Sequence, residues 1–186
     1  LPLSTQSGKA GTIMGRYLIY GGNGGIGEAI ARRLATAGHD LVLAGRNDEE
    51  LQALAGEIGA QTVTCDVTDP DSYADLGLGA GELDTIIINA GIGGARHQDA
   101  MQATTEDVAE IMMTNAFGPA RAAKTLLPTL KDGGTLAVMS SQLGSIADSS
   151  GGFELYRTSK AALNMLTCTA AIDLAQARVL INSVDT

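Results

Sequence analysis

The stretch from Tyr17 to Gly27, YLIYGGNGGIG, runs from branched and aromatic apolar residues directly into five glycines within seven positions. Glycine inside regular structure costs about 0.5–1 kcal/mol relative to alanine, so this cluster indicates that another group approaches the backbone closely. The apolar run predicts a buried strand, and the residues after the glycines have helical periodicity. The backbone amides in the first turn of a helix carry a partial positive charge, which suits binding of a pyrophosphate. The unit therefore predicts a dinucleotide site, although a tight turn can require glycine for steric reasons alone.

The rest of the chain alternates short apolar runs with longer segments of helical periodicity. The runs are rich in Ile, Val and Leu, as in parallel strands buried between helices on both faces of a sheet. We therefore predict one α/β domain with a doubly wound parallel sheet, a Rossmann fold, over residues 14–186. Strands are expected at residues 16–20, 40–44, 62–65, 83–88, 135–140 and 179–184. Helices are expected at residues 25–37, 48–58, 69–76, 105–130 and 155–176.

The longest predicted helix carries its own start and stop signals. Thr104 and Asp107 have the spacing of a capping box at its beginning, and the glycines at 133–134 are expected to close its exit toward the next strand. Pro119 and Pro128 fall inside the segment. Because proline removes a helical hydrogen bond, each is expected to kink or interrupt the helix.

The charge balance limits the partners of the chain. Acidic residues outnumber basic residues by 21 to 12, and no Lys/Arg cluster is longer than the pair at residues 32–33. This leaves no electrostatic footprint for nucleic acid or an anionic membrane. No apolar run approaches the roughly 20 residues of a membrane helix. We expect no nucleic-acid and no membrane partner, and any anionic ligand must be bound by local groups.

The cysteines and histidines are few and scattered. Cys65 and Cys168 lie far apart and lack a C-x-x-C partner, which predicts two reduced, buried thiols in a reducing compartment and hence a cytoplasmic protein. His39 and His97 are too isolated to indicate a metal site, so no metal is expected.

The second predicted strand ends in LAGRN, which places Arg46 where a dinucleotide fold meets the adenosine ribose. An acidic residue there would bond a free 2′-hydroxyl, whereas a guanidinium can pair with a 2′-phosphate. Arg46, with no acid at Gly45, therefore favours NADP(H) over NAD(H). A solvated arginine at the end of a loop would explain the same residue.

A third motif, Y-R-T-S-K, spans residues 156–160. On a helix, this spacing stacks Tyr156 and Lys160 on one face, where the ammonium lowers the pKa of the phenol toward a value useful for proton transfer. The pattern alone is common by chance. Ser140 and Ser141, however, end the preceding strand at the edge of the sheet where ligands bind.

Taken in this order, the motifs resemble those of the short-chain dehydrogenase/reductase superfamily, single-domain type, and the resemblance extends from Met14 to Thr186. Tyr20 stands where a threonine is usual, Ile88 replaces the first Asn of an N-N-A-G motif, and Gly24 stands where many NADP-preferring relatives carry a basic residue. The resemblance implies cofactor binding by Gly21, Asn23, Gly24, Gly25, Ile26, Gly27, Arg46, Asp66, Val67, Asn89, Ala90, Gly91, Tyr156 and Lys160.

The same resemblance implies four catalytic residues. Tyr156 would protonate a carbonyl oxygen as hydride arrives from the nicotinamide, and Ser141 would hydrogen-bond that oxygen. Lys160 would hold the nicotinamide ribose and favour ionisation of Tyr156, and Asn115 would position Lys160 through water, at a point where the long helix is distorted. Ser140 is the alternative to Ser141, because adjacent strand residues face opposite sides.

Within the superfamily, the run GSIADSSGGFELYRTSKAALNML resembles the C-factor-like and sniffer-like carbonyl reductases. This implies an NADP(H)-dependent oxidoreductase that interconverts a carbonyl and an alcohol of a small-molecule substrate. The alternative is a dinucleotide-binding signalling or regulatory protein of the C-factor type with little turnover. The complete Ser-Tyr-Lys set favours the enzyme, because a binding protein has no physical need of it.

The helices that carry Asn115 and Tyr156 have outer faces rich in alanine and other small residues. Because members of the superfamily pair through these helices, we expect a homodimer or homotetramer. A wholly internal apolar face is the alternative.

Two expectations concern the chain ends. In relatives, the strand that ends near Thr186 continues into a Pro-Gly turn, a substrate-covering helix and a final strand, so we expect the native chain to continue past Thr186. Residues 1–13 are expected to be a loose tail or an expression remnant, with a native start at Met14.

Overall fold

Six strands build the sheet of the computed structural model, which describes residues 14–94, 97–173 and 178–183. They are β1 Arg16–Tyr20, β2 Asp40–Gly45, β3 Gln61–Thr64, β4 Leu83–Ile88, β5 Leu130–Ser140 and β6 Arg178–Ser183. The order across the sheet is β3-β2-β1-β4-β5-β6, and every neighbouring pair is parallel. The predicted doubly wound α/β fold is therefore confirmed. The order reverses between β1 and β4, and ligands of such sheets bind at the carboxyl ends beside that switch.

Helices cover both faces of the sheet. They are α1 Gly25–Thr36, α2 Asp48–Ile58, α3 Thr105–Met112, α4 Gly118–Leu126 and α5 Glu154–Asp173. On β2, Leu41 and Leu43 pack in the core formed with α1 and α2, whereas Val42 and Ala44 pack in the core formed with α4 and α5. Because successive strand residues point to opposite faces and both faces are covered, the strands read as continuous apolar runs.

Local signals set the beginnings of two helices. The side chain of Asn47 accepts a hydrogen bond from the Glu50 amide at the start of α2, and Gly59, with φ of 72°, ends that helix in the left-handed region. Thr104 and Asp107 make both reciprocal hydrogen bonds of a capping box at the start of α3. The predicted capping box is confirmed.

The segment predicted to be helical over residues 105–130 is interrupted, as its prolines led us to expect. A π-helical turn, Met113–Phe117, separates α3 from α4, and a 3-10 turn, Leu127–Thr129, follows α4. Pro119 is the second residue of α4, directly after the π-helical turn, so its missing amide hydrogen falls where the helical hydrogen-bond pattern changes. Pro128 lies in the 3-10 turn and ends the helical segment.

Strand β5 begins earlier than its predicted start at residue 135. Leu130 already pairs with Leu83, and the register shifts before Thr135 pairs with Thr85. Gly133 has a φ of 73° within this irregularity. The glycine pair therefore lies inside the strand, where it permits the local bend, and does not close the preceding helix.

The remaining differences lie at the ends of elements. The helix predicted over residues 69–76 is a 3-10 turn, Pro70–Tyr73, opened by Asp69, whose side chain accepts a hydrogen bond from the Asp71 amide. Residues 1–13, 174–177 and 184–186, which include the expected tail and the ends of two predicted elements, lie outside the described residues. In the described part of the chain, no helix has the length and apolarity to cross a membrane.

Candidate active site

The carboxyl ends of β1, β2, β4 and β5 open onto two adjoining cavities, with volumes of about 400 and 340 Å³. Both are lined by Gly24, Asn89, Gly91 and Ile92, so they form one continuous cleft at the switch in strand order. The predicted site residues that line the cleft are Gly21, Asn23, Gly24, Gly25, Ile26, Arg46, Val67, Asn89, Ala90, Gly91, Tyr156 and Lys160. The others, Gly27, Asp66, Asn115 and Ser141, adjoin lining residues without lining the cavities themselves.

The glycine turn opens the N-terminus of α1 into this cleft. Gly24 is the N-cap and gives no side-chain hydrogen bond, so the first-turn amides have no capping acceptor. A Cβ on Gly25 would meet no atom within 4 Å, whereas a Cβ on Gly27 would overlap the carbonyl oxygen of Gly21. Gly27 is therefore needed for close packing of the turn, and Gly25 leaves space above the amides. This cradle fits the pyrophosphate of a dinucleotide.

The far end of the cleft carries charges of both signs. Arg46 follows β2, is exposed and lines the cavity, as does Glu50 in the first turn of α2. The side-chain amide of Asn23 donates a 2.8 Å hydrogen bond to the Glu50 carboxylate. A 2′-phosphate bound here would meet a guanidinium that attracts it and a carboxylate that opposes it.

Asp66 organises the loop after β3. One oxygen of its carboxylate accepts hydrogen bonds of 2.8 Å from both the amide and the hydroxyl of Thr68. The next residue, Val67, is buried and lines the cleft. The loop thus presents an apolar side chain to the cavity beside a half-buried carboxylate, an arrangement that suits one face and one edge of a nucleotide base.

Two further residues, Tyr20 and Cys65, line the floor of the cleft. Tyr20 is 1% exposed, and its ring packs edge-on against Tyr73, so the departure from threonine is absorbed by the core. Burial raises the pKa of the Cys65 thiol, which therefore stays protonated and makes a poor nucleophile. Cys168 on α5 is exposed, so the prediction that both thiols are buried is wrong for this residue. Among the residues that the structure describes, no three His, Cys, Asp or Glu side chains could hold a metal ion.

Tyr156 and Lys160 share one face of α5 and line the second cavity, as their spacing predicts. The Lys160 Nζ lies 5.8 Å from the centroid of the Tyr156 ring and donates a 3.1 Å hydrogen bond to the carbonyl of Met139. Burial lowers the pKa of Lys160 from 10.5 to about 8. An ammonium at this depth stabilises a negative charge that develops on the Tyr156 oxygen.

The two serines at the end of β5 have different hydrogen bonds. The Ser140 hydroxyl donates to the Asn164 side chain at 2.5 Å, which commits its hydrogen. The Ser141 Oγ accepts from the Leu143 amide at 3.2 Å. A hydroxyl that accepts one bond keeps its hydrogen for donation, so Ser141 retains the capacity to bond a substrate oxygen. Ser140 is nevertheless the serine that lines the cavity directly.

Asn115 lies in the π-helical turn, fully buried, at the distortion expected from the resemblance. Its side chain accepts from the Ile92 amide at 2.7 Å and donates to the Ile92 carbonyl at 2.9 Å and the Ser159 hydroxyl at 3.1 Å. A Cβ on Gly91 would lie 3.3 Å from Asn115 Oδ1 and 3.5 Å from Lys160 Nζ, so both groups face the same strand end. Asn115 therefore ties α5 to the loop after β4.

The start of α5 is held by residues that the sequence did not single out. The carbonyl and side-chain oxygens of Gln98 accept the amides of Leu155 and Tyr156, each at 3.1 Å, and Glu154 accepts the Ala100 amide at 2.8 Å. Sequence reasoning also missed the lining residues Asn47, Glu50, Cys65, Ile92, Gly93, Thr114 and Met139. For Asn47, Ile92 and Gly93 the available signal was a position shortly after a predicted strand, and for Glu50 it was the first turn of α2.

Comparison with known proteins decides the family. The family model described as short chain dehydrogenase matches residues 16–186. The chain belongs to the short-chain dehydrogenase family. A carbonyl reductase from Pseudomonas aeruginosa in complex with NADP has a similar structure, with a TM-score of 0.84 and 35% identity over 90% of this chain and 77% of that chain. The superfamily and the fold named by the resemblance are thus confirmed.

Two curated relatives carry different names. An uncharacterized oxidoreductase of Mycobacterium tuberculosis is 36% identical over 179 residues, which cover 90% of this chain and 66% of the relative. A cyclic-di-GMP-binding biofilm dispersal mediator protein of Escherichia coli is 32% identical over 169 residues, which cover 90% and 70%. This short-chain dehydrogenase chain thus spans about two thirds of the length of the curated relatives it matches.

Proposed function

We propose that this short-chain dehydrogenase is an NADP(H)-dependent oxidoreductase that interconverts a carbonyl and an alcohol of a small molecule. One observation carries the proposal: Tyr156 and Lys160 stand side by side at the end of a cleft whose other part is the open N-terminus of α1. A dinucleotide with its pyrophosphate on the glycine turn would extend from Arg46 to Lys160.

The residues present fit such a cofactor, which supplies or accepts the hydride when bound. Tyr156 donates a proton to the substrate oxygen during reduction and accepts it back in the reverse direction. Ser141 donates a hydrogen bond to the same oxygen and stabilises its developing charge. Lys160 holds ribose hydroxyls and favours the ionised form of the Tyr156 hydroxyl.

The proton donor is tested by Tyr156→Phe, which removes only a hydroxyl. We expect NADPH oxidation with aldehyde and ketone substrates to fall at least a hundredfold, because proton transfer contributes about 10²–10⁴-fold to such rates. The NADPH dissociation constant should stay within threefold. Tyr17→Phe, on β1 and against the His39 ring, is the matched control and should retain full activity. Near-normal rates in Tyr156→Phe would exclude this proton donor.

We propose that the cofactor preference is for NADP(H), because Arg46 can make a charge-assisted contact to a 2′-phosphate. Such contacts contribute about 1.5–3 kcal/mol, so Arg46→Ala should weaken NADPH binding about tenfold to a hundredfold. NADH binding should change less than threefold. Arg33→Ala, an exposed arginine on α1, is the control and should change neither. Equal losses for NADPH and NADH would refute the preference.

A regulatory dinucleotide-binding protein is the second candidate, because one relative is named for binding cyclic di-GMP. The two functions separate in one titration. If the protein binds NADPH or cyclic di-GMP but oxidises no NADPH with any aldehyde, ketone or quinone tested, the regulatory function stands. Turnover that is lost in Tyr156→Phe supports the enzyme.

We further propose a cytoplasmic homodimer or homotetramer that pairs through α3, α4 and α5. Val108, Met165 and Ile172 expose large apolar side chains on these helices, as does Phe117 in the π-helical turn between α3 and α4. Between α4 and α5 lies an apolar groove whose lining includes Leu127 and Leu166. Analytical ultracentrifugation should give a multiple of the monomer mass, and Phe117→Asp should reduce it. A monomeric mass at about 50 µM, a concentration well above a micromolar dissociation constant, would exclude pairing of this chain.

A further inference from the structure

We propose that Arg157 is a positioning residue that holds the segment between β5 and α5, residues 141–153, against the start of α5. It thereby fixes Ser141 relative to Tyr156. The inference rests on the proposed function, because its consequence is the geometry of these two groups.

The Arg157 guanidinium binds both ends of this segment. Its Nε donates to the Gly152 carbonyl at 2.8 Å, and one Nη donates to the Gly151 carbonyl and the Ser150 hydroxyl, each at 3.1 Å. The other Nη reaches the Leu143 carbonyl at 3.4 Å. Leu143 is two residues from Ser141, and Gly152 is four residues from Tyr156. One side chain thus links the two ends of the connection.

The N–H groups of Arg157 are largely occupied by these contacts, so Arg157 is poorly suited to bind an anionic substrate. A guanidinium has five N–H groups, and four of them are engaged in these contacts. Within the described residues, Arg157 has no ion pair with a carboxylate. Its acceptors are neutral carbonyls and one hydroxyl, and so little donor capacity remains for an anionic substrate. The arrangement is that of a brace.

The held segment needs such a brace because its backbone is unusual. Gly151, Gly152 and Phe153 have φ values of 82°, 69° and 52°, three consecutive residues in the left-handed region. Phe153 is the one non-glycine residue of the described chain with positive φ, a conformation that costs such a residue about 1–2 kcal/mol. Arg157 donates hydrogen bonds to the carbonyls of both glycines in this stretch.

The position of Arg157 on α5 separates it from the chemistry. Tyr156 and Lys160 face the cleft at i and i+4, whereas Arg157 is turned by about 100° around the helix. The Arg157 side chain can therefore contact the 141–153 segment without entering the cleft. Ile146 and Phe153, which are 87% and 59% exposed, lie on the segment that it holds.

Lysine cannot reproduce this contact set, because its single ammonium is a point donor and cannot span four acceptors. We therefore expect Arg157→Met to lower kcat at least tenfold and Arg157→Lys to give an intermediate value. A displacement of about 1 Å can cost a hundredfold in rate. The NADPH dissociation constant should stay within threefold, because the residues of the glycine turn are untouched. Arg33→Met, on the exposed face of α1, is the matched control.

The experiment measures kcat, KM and NADPH binding of the whole chain, together with amide hydrogen exchange of residues 142–153. Support requires a lowered kcat, unchanged NADPH binding and faster exchange confined to that segment in Arg157→Met. Normal kcat with normal exchange overturns the proposal while the proposed function stands. If the wild-type protein shows no turnover, the proposed function and the positioning role both fail. Amide hydrogen exchange then tests only whether Arg157 holds the segment between β5 and α5. If Arg157→Met fails to fold, Arg157→Lys decides: a kcat equal to wild type overturns the proposal.

Discussion

Asn115 is the residue whose removal tests the architecture of the site most directly. Its side chain makes three hydrogen bonds, two to the backbone of Ile92 and one to Ser159, inside the π-helical turn. In Asn115→Ala, the amide and carbonyl of Ile92 both lose their partner. A net hydrogen bond contributes about 0.5–1.5 kcal/mol, and an unpaired buried group costs about 1–3 kcal/mol. Because Ile92 is half-buried and water can reach part of it, we expect a loss of about 2–4 kcal/mol of unfolding free energy.

The assay is urea unfolding followed by circular dichroism, with the m-value compared between variants. Asn164→Ala is the matched control, because the same atoms are removed but only one side-chain bond, from Ser140, is lost. It should cost about 1 kcal/mol. In thermal unfolding, Asn115→Ala should lower Tm by roughly 4–16 °C, at about 2–4 °C per kcal/mol. Equal losses in the two variants would refute the claim that Asn115 holds the loop after β4.

Three further predictions concern the cleft. Gly27→Ala should lower the unfolding free energy by more than about 2 kcal/mol, because the new methyl meets backbone atoms. Gly25→Ala should fold normally yet bind NADPH at least tenfold more weakly. Urea unfolding and fluorescence titration separate the two variants, and identical behaviour would contradict the packing argument. Burial lowers the pKa of Lys160 from 10.5 to about 8, so the native protein loses this proton at a lower pH than the unfolded chain does. The unfolding free energy of the wild type should therefore rise relative to that of Lys160→Met between pH 8 and 10.5. Parallel curves of unfolding free energy against pH for the two proteins would show that Lys160 titrates normally. Glu50→Gln should tighten NADPH binding about threefold to fivefold at low salt by removing a like charge, with little change for NADH.

Local sequence determined much of the fold. Strands and helices follow from apolar periodicity, and the capping box at Thr104 follows from two residues three positions apart. The Tyr156 and Lys160 pair was predictable because helical geometry places i and i+4 on one face without any further information. The open glycine turn was predictable for the same reason, since its steric demands lie within a few residues of chain.

The prolines predicted that the long helix is interrupted, but the exact boundaries of the helical segments after residue 112 were not predictable in this way. The π-helical turn is stabilised where Asn115 reaches the backbone of Ile92, 23 residues earlier. Strand β5 begins at Leu130 because that residue pairs with Leu83 across the sheet. In each case a distant partner supplies the hydrogen bonds, and a local pattern carries no record of which partner that is.

The same distinction applies to the site. The sequence indicated which groups could act, but the tertiary structure alone showed that Gln98 accepts hydrogen bonds from the first amides of α5 and that Glu50 lines the same cavity as Arg46. It also showed that Arg157 donates hydrogen bonds to the segment between β5 and α5. These contacts depend on how separately formed elements pack. A hydrogen bond needs its donor and acceptor atoms about 3 Å apart, and that distance is set only when both elements are in their final positions.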